Sequence, residues 1–166
     1  IENCENKGHI SSPSMADYDV YYFGGIAGKV NGAFTLRNCV NRGNLTAAVE
    51  RDIAGIAVSG GNDAVFENCE NYGNITVAPN HKPNEGDRWR PCVAGIVAIE
   101  NDVATTITNC TSDCVIDATV YRATSIDKVY VFQKTWENGT EDTKTVCDEA
   151  SKSNSAGTTI NITTRE

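Results

Sequence analysis

The chain has 166 residues, the length of a single domain, with 40% hydrophobic residues and a mean hydropathy of −0.35. Asp and Glu number 22 against 14 Lys and Arg, for a net charge of −8. Phosphate binding rests on clustered cations, so this balance argues against nucleic acid as a partner. No apolar run approaches the ~18 residues of a membrane helix, so no direct membrane insertion is expected.

Read in chain order, the sequence is a repeat. Its first segment, Ile1–Ser11, reads I-E-N-C-E-N-K-G-H-I-S. It returns without gaps at Leu36–Thr46 and Phe66–Thr76, and in decayed form at Ile107–Asp117. The shared pattern is apolar-x-Asn-Cys-x-Asn-x-Gly-x-(Ile/Leu)-(Ser/Thr). A second motif follows each intact copy: Phe23-Gly-Gly-Ile26-Ala, Ile53-Ala-Gly-Ile56-Ala and Val93-Ala-Gly-Ile96-Val. The distance from Ile26, Ile56 or Ile96 to the next repeat cysteine is nearly constant, whereas the distance from that cysteine to the following Ile varies. Insertions therefore enter the unit at one fixed place. Because Ile1 already lies inside a repeat, the chain reads as a piece of a longer protein.

Each unit of roughly thirty residues holds short runs such as Gly25–Val30, Ala33–Leu36 and Asn44–Val49, rich in β-branched or aromatic residues and bounded by Gly or Asn. No segment carries a sustained helical period. Two or three short strands per unit, repeated many times, predict an all-β chain. They fit a right-handed parallel β-helix, a solenoid of about three to four coils over residues 1–117. Residues 118–166 are expected to form a C-terminal β-rich cap or hairpin on the last coil.

The spacing C-x-N-x-G-x-I places these four residues on one face of an extended chain. Cys4, Cys39, Cys69 and Cys110 are expected to stack inward as small hydrophobes. Asn6, Asn41 and Asn71 are expected at a corner, in left-handed backbone, with Gly8, Gly43 and Gly73 supplying a bend free of Cβ. Ile26, Ile56 and Ile96 point into the core. Asn3, Asn38, Asn68 and Asn109 form a second stack.

The combination of N-C-x-N-x-G-x-I units with alternating G-G-I-x-G units resembles the repeat arrays of large surface proteins of Bacteroidetes and other bacteria, related to the motif called GLUG. The resemblance covers roughly residues 1–117. It implies a right-handed β-helix stalk, exported and attached to or shed from the envelope, and it implies no particular activity.

The insertion 12–22 carries Asp17, Tyr18, Asp19, Tyr21 and Tyr22, and the insertion 79–91 carries His81, Lys82, Arg88, Trp89 and Arg90. Equivalent positions of a solenoid lie along one edge, so the two loops should flank a groove floored by Val49, Glu50, Arg51 and Asp52. Loops on one face of a repeat protein often bind. The expected binding residues are Tyr18, Tyr21, Tyr22, Asp52, Arg88 and Trp89, recognising a glycan or a surface protein.

Catalytic and metal signatures are not found. The spacing of the cysteine ladder matches no zinc motif, and no calcium loop or nucleophile elbow occurs. Neither a cofactor nor a metal is expected. Asp17, Asp52 and Asp63 would have to converge for a polysaccharide lyase or glycosidase. Seven cysteines leave at least one unpaired, and a Cys114–Cys147 disulfide tying the tail to the last coil is one available pairing. In the tail, Val129–Phe132 and Thr159–Thr163 read as strands, 136–140 as a hairpin turn and 151–157 as a polar, flexible stretch.

The function expected is that of a non-catalytic structural and binding module in a secreted or cell-surface, adhesin-like bacterial protein, adjoining other domains of its parent chain. The alternatives are a carbohydrate-active β-helix enzyme fragment and a passive spacer. Replacing Ile56 by Asp would bury a charge and is expected to abolish folding. A soluble variant with an unchanged circular-dichroism spectrum would refute the inward placement of Ile56.

Overall fold

The computed structural model describes residues 1–12, 21–48, 52–78, 92–100, 103–121, 125–132 and 144–165. Among them more than half of the residues lie in strands, arranged in five sheets whose pairings are all parallel. The first sheet joins Glu5–Asn6, Val40–Asn41, Glu70–Asn71 and Thr111–Ser112. The second joins Ile10–Ser12, Leu45–Ala47, Ile75–Val77, Val115–Tyr121 and Thr159–Arg165. The third joins Tyr22–Gly24, Asp52–Ala54, Cys92–Ala94 and Ser125–Asp127. The fourth joins Ala27–Val30, Ala57–Ser59, Val97–Ile99 and Tyr130–Phe132. The fifth joins Phe34–Arg37, Ala64–Glu67, Thr105–Thr108 and Thr145–Cys147. Each repeat unit thus gives one short strand to every sheet, and its neighbours in each sheet are the adjacent units. Five strands per unit exceed the two or three expected, because the strand at Glu5–Asn6 and its equivalents are only two residues long.

The strands read differently according to how many of their faces are covered. In the second sheet Leu45-Thr-Ala47 and Ile75-Thr-Val77 alternate buried and exposed, with Leu45, Ile75 and Ile116 in one core cluster. In the fifth, Leu36, Phe66 and Ile107 alternate with outward polar residues and join Ile56, Ile96 and Ile99 in another. The third and fourth sheets are buried on both faces over the middle units. Ile53 and Val93 face one core cluster and Ala57 and Val97 the other, while Ala54, Val58, Ala94 and Ala98 form a third cluster on the opposite side. Parallel strands covered on both sides read as continuous apolar runs, which is the physical origin of the Gly-Ile motif's flanks.

Both asparagine columns are ladders. Asn6 Nδ2 donates to Asn41 Oδ1 at 2.8 Å, and Asn41 Nδ2 donates to Asn71 Oδ1 at 2.8 Å. These residues do not sit at a left-handed corner, as the sequence reading had it. Asn41 and Asn71 lie in strands with fully buried side chains. The left-handed corner belongs to the asparagine before each cysteine, with φ of 55° at Asn3, 52° at Asn38, 51° at Asn68 and 49° at Asn109. Asn tolerates that region because its short amide hydrogen-bonds locally. Here it also bonds to the next unit, Asn38 to Asn3 at 3.1 Å, Asn68 to Asn38 at 3.2 Å and Asn109 to Asn68 at 2.8 Å.

The two motifs meet at glycine. A Cβ on Gly25 would strike the Asn41 side chain, and one on Gly55 would strike Asn71 and the carbonyl of Gly95. Gly43 and Gly73 do occupy bends, but their constraint is the carbonyl of the preceding unit's glycine, not their own φ. In the fourth unit Ser112 replaces the ladder Asn opposite Gly95, and Cys114 replaces the bend Gly, its sulfur accepting from Asn71 Nδ2 at 3.3 Å.

The fourth unit runs on through Cys147, so the expected boundary at residue 117 falls inside the strand Val115–Tyr121. The stretch 151–157, expected to be flexible, begins inside helix α1, Glu149–Asn154, which is capped by Asp148, whose Oδ1 accepts from Ser151 N at 2.9 Å. This helix stands where the first sheet would receive its next strand. Cys110 N donates to Ser151 Oγ and Ser112 N to Ser155 Oγ, both at 2.9 Å, so hydroxyls replace the carbonyls of a missing unit. Serine pattern alone did not reveal the helix, since its stability comes from that docking rather than from propensity. The chain then returns to the second sheet as Thr159–Arg165, while residues 136–140, read as a hairpin turn, lie outside the described residues. None of the seven cysteines is in a disulfide. A Cys114–Cys147 bridge does not form, because Cys147 closes a strand of the fifth sheet beside Ile107 whereas Cys114 sits at the bend between the first and second.

Gly55→Ala is expected to destabilise the protein by roughly 2–3 kcal/mol through overpacking. Gly28→Ala, whose added Cβ would find only the Tyr22 carbonyl at 3.4 Å, should change stability by less than about 1 kcal/mol. Urea denaturation of the two variants measures the contrast.

Candidate functional site

The doubly buried third and fourth sheets carry a small group of ionisable residues on the side away from the core of Ile56 and Ile96. Tyr22, Asp52, Cys92 and Ser125 are register partners at the head of the third sheet. On the fourth, a one-residue bulge between Ala27 and Lys29 brings Lys29 opposite Val58, on the face carrying Ala98 and Val131. Glu100 follows the strand Val97–Ile99 and donates its amide to the Ser59 carbonyl at 2.8 Å.

Three of these side chains close on one another across three units. Tyr22 Oη donates to Glu100 Oε1 at 2.6 Å, Lys29 Nζ forms an ion pair with Glu100 Oε2, and the Lys29 ammonium lies 4.1 Å from the centre of the Tyr22 ring. The middle unit makes room with Gly60, where any Cβ would collide with Lys29 Cε. Glu100 is 6% exposed, so its charge is tolerable only because it is paired and hydrogen-bonded. Burial by itself would pull the Lys29 ammonium down. The Glu100 carboxylate and the Tyr22 hydroxyl outweigh it and hold Lys29 above its ordinary 10.5. A carboxylate engaged in this way is a clamp between units rather than a free acid or base.

Of the residues expected to bind, the fold brings Tyr22 and Asp52 side by side and places Tyr21 at the entry to the third sheet, 47% exposed. Tyr18, Arg88 and Trp89 lie outside the described residues, as do Asp17, Val49, Glu50 and Arg51. Asp52 is not an exposed groove floor. It is fully buried, and its amide donates to the Tyr21 carbonyl at 2.8 Å. Its strand is covered on both faces, which the run Asp52-Ile-Ala-Gly-Ile-Ala-Val58 encodes. Asp63 is exposed in the turn before Ala64–Glu67, with φ of 63°, and is separated from Asp52 by the fourth sheet. Lys29 and Glu100 were not singled out from sequence. Their one signal is position: Glu100 ends the apolar run Val93–Ile99 at the column where the middle unit has Gly60 and the first has Asn31.

The outward columns elsewhere are ionic and solvent-exposed. Arg37 bridges Glu2 at 3.1 Å and Glu67 at 2.8 Å, and Arg42 bonds Glu5 at 2.9 Å while lying 4.9 Å from the Tyr72 ring centre. Such exposed pairs contribute little each. Within the core the ladder thiols of Cys39, Cys69 and Cys110 are fully buried, and burial pushes the Cys39 thiol up. Among the described residues no group of three or more His, Cys, Asp or Glu side chains is placed to hold a metal ion. Compared with protein-family models, curated proteins and solved structures, the chain matches none.

Lys29→Met is expected to cost about 1–3 kcal/mol at neutral pH, by leaving Glu100 buried without its cation. Because the folded pKa of Lys29 is raised, the stabilisation is fully present below the unfolded value near 10.5 and is lost as pH rises through the folded value above it. Urea midpoints of wild type and variant should therefore differ by a constant amount from pH 7 to about pH 10 and converge above it. A difference that persists unchanged at the highest pH would show that Lys29 acts through packing alone.

Proposed function

We propose that the five sheets close into a right-handed parallel β-helix of about four coils, and that this solenoid is a non-catalytic structural and binding module of a secreted or cell-surface, adhesin-like bacterial protein. The observation carrying the reading is the parallel stacking of successive units, interrupted by one bulge at Ala27–Lys29, in which the Asn3 ladder bonds all four units and the Asn6 ladder the first three. Stacked repeats make a stiff rod whose stability is a sum of neighbour contacts, the property a stalk needs. The resemblance to GLUG-like surface arrays points the same way. Recognition is assigned to the edge loops 12–22 and 79–91, with a glycan or a surface protein as partner. Exposed Tyr21, in the first loop, supports this, since an exposed aromatic ring suits a binding surface.

A glycan-array screen of the chain beside the double variant Tyr21→Ala with Trp89→Ala tests the reading. Binding by the wild type that falls at least about tenfold in a folded variant, a loss of ~1.4 kcal/mol, is the expected result. Binding by neither protein to glycans or to candidate surface proteins would overturn the recognition role and leave a passive spacer.

A further inference from the structure

One turn of the first unit carries a reactive pair beside the clamp. Asn31 and Gly32 follow the strand Ala27–Val30, and both are exposed. Gly32 has φ of 79°, in the left-handed region that favours a residue without Cβ. The inner side of this peptide is closed, since a Cβ on Gly61 would strike the Gly32 nitrogen. Its outer side is open, and a Cβ on Gly32 would meet nothing within 4 Å. The turn thus demands the one residue that cannot shield the Asn31 carboxamide from the nitrogen that follows it.

Most asparagine side chains are tied down. The two ladders hold their own carboxamides, while Asn44, Asn62 and Asn74 accept from Asn74 N at 3.0 Å, Ala104 N at 3.0 Å and Val115 N at 2.9 Å. Among the described residues, no hydrogen bond holds the Asn31 carboxamide or the Gly32 amide. Asn31 also borders the clamp. A Cβ on Gly60 would strike Lys29 Cε and would lie 2.6 Å from Asn31 Oδ1 and 3.1 Å from Glu100 Oε2. The three side chains therefore surround a single point that Gly60 leaves vacant.

We propose that Asn31 is a site of spontaneous deamidation, at which the protein places a second carboxylate against its own Lys29–Glu100 clamp. The Gly32 amide nitrogen loses its proton to solvent and attacks Asn31 Cγ. The bond from Cγ to the side-chain nitrogen breaks, a five-membered succinimide forms, and ammonia leaves with a proton returned by solvent. Water then opens the ring at either carbonyl, leaving aspartate or isoaspartate at residue 31. One amide and one water become one acid and one ammonia, with no change of oxidation state. The new carboxylate shares the Lys29 ammonium with Glu100. Like charges beside one cation disfavour each other's ionised form, and Glu100, 6% exposed, has no water to turn to. Modification therefore loosens the contact between the first and third units, and it accumulates as the chain ages.

The test incubates the full chain at mildly alkaline pH and body temperature for several weeks and maps its peptides by mass spectrometry. Mapping separates Asn31 from the other Asn-Gly pair, Asn138–Gly139. The expected result is an Asn31 peptide one mass unit heavier, split into aspartate and isoaspartate forms, the latter labelled by an isoaspartate-specific methyltransferase. Asn31→Gln should suppress the change, because closure would then need a six-membered ring. Asn31→Asp, made directly, should lower the midpoint of thermal unfolding by roughly 2–4 °C, and should not lower it in a Glu100→Gln background. An Asn31 peptide that stays intact, an unchanged midpoint in Asn31→Asp, or an equal fall in the Glu100→Gln background would overturn the proposal.

Discussion

The structure depends on one contact repeated along the stack, a buried asparagine amide seated against a glycine. Asn41 fills the space beside Gly25, Asn71 that beside Gly55, and Ser112 that beside Gly95. A buried amide without partners costs on the order of 1–3 kcal/mol. For Asn6 and Asn41 the acceptor is the same amide one unit on, and Asn71 turns instead to the Gly73 carbonyl and Cys114 Sγ, so the ladder is satisfied only if successive units are present and in register. This makes the repeat cooperative between units and intolerant of a one-residue slip, which would turn the amide to the other face.

Glycine, rather than asparagine, is the stricter partner. Alanine would collide with the ladder at Gly25 or Gly55 and with the preceding backbone at Gly43 or Gly73, although none of these glycines has positive φ. The fourth unit shows how the pattern ends. Ser112 and Cys114 replace Asn and Gly, and the hydroxyls of Ser151, Ser155 and Thr158 take over the hydrogen bonds that another unit would have made. Thr158 Oγ1 alone donates to the Ser112 carbonyl at 2.7 Å and lies 2.8 Å from its Oγ. The decay of the motif at Ile107–Asp117 is thus matched by the helix that covers it.

The ionisable cluster answers to the same stacking. Lys29 reaches Glu100 across an intervening unit only because Gly60 lies between them, and Tyr22 arrives from the neighbouring sheet. Residues from the first and third units are joined at a point where a free-standing charge would be untenable. This clamp ties the third and fourth sheets together over the same span that the asparagine ladder ties the first.

Much of this was legible in the residues themselves. The repeat, the inward Cys and Ile positions, the Asn3 stack and the preference for parallel strands follow from spacing, because a stacked fold writes the same contact into the chain once per unit. Roles within the unit were harder to assign. Sequence parity puts Asn41 on the face of Cys39 but cannot tell a corner from a strand, since both Asn residues of N-C-x-N suit a left-handed turn. The site was legible only in part: Tyr22 and Asp52 stood out, whereas Lys29 and Glu100 lie 71 residues apart and carry no local signature. Helix α1 was hidden for the same reason, its serines taking their meaning from the strand ends of Cys110 and Ser112. Sequence by itself determined which residues recur and therefore stack. The tertiary structure alone decided which of them meet across units, because that depends on register and on which faces are covered.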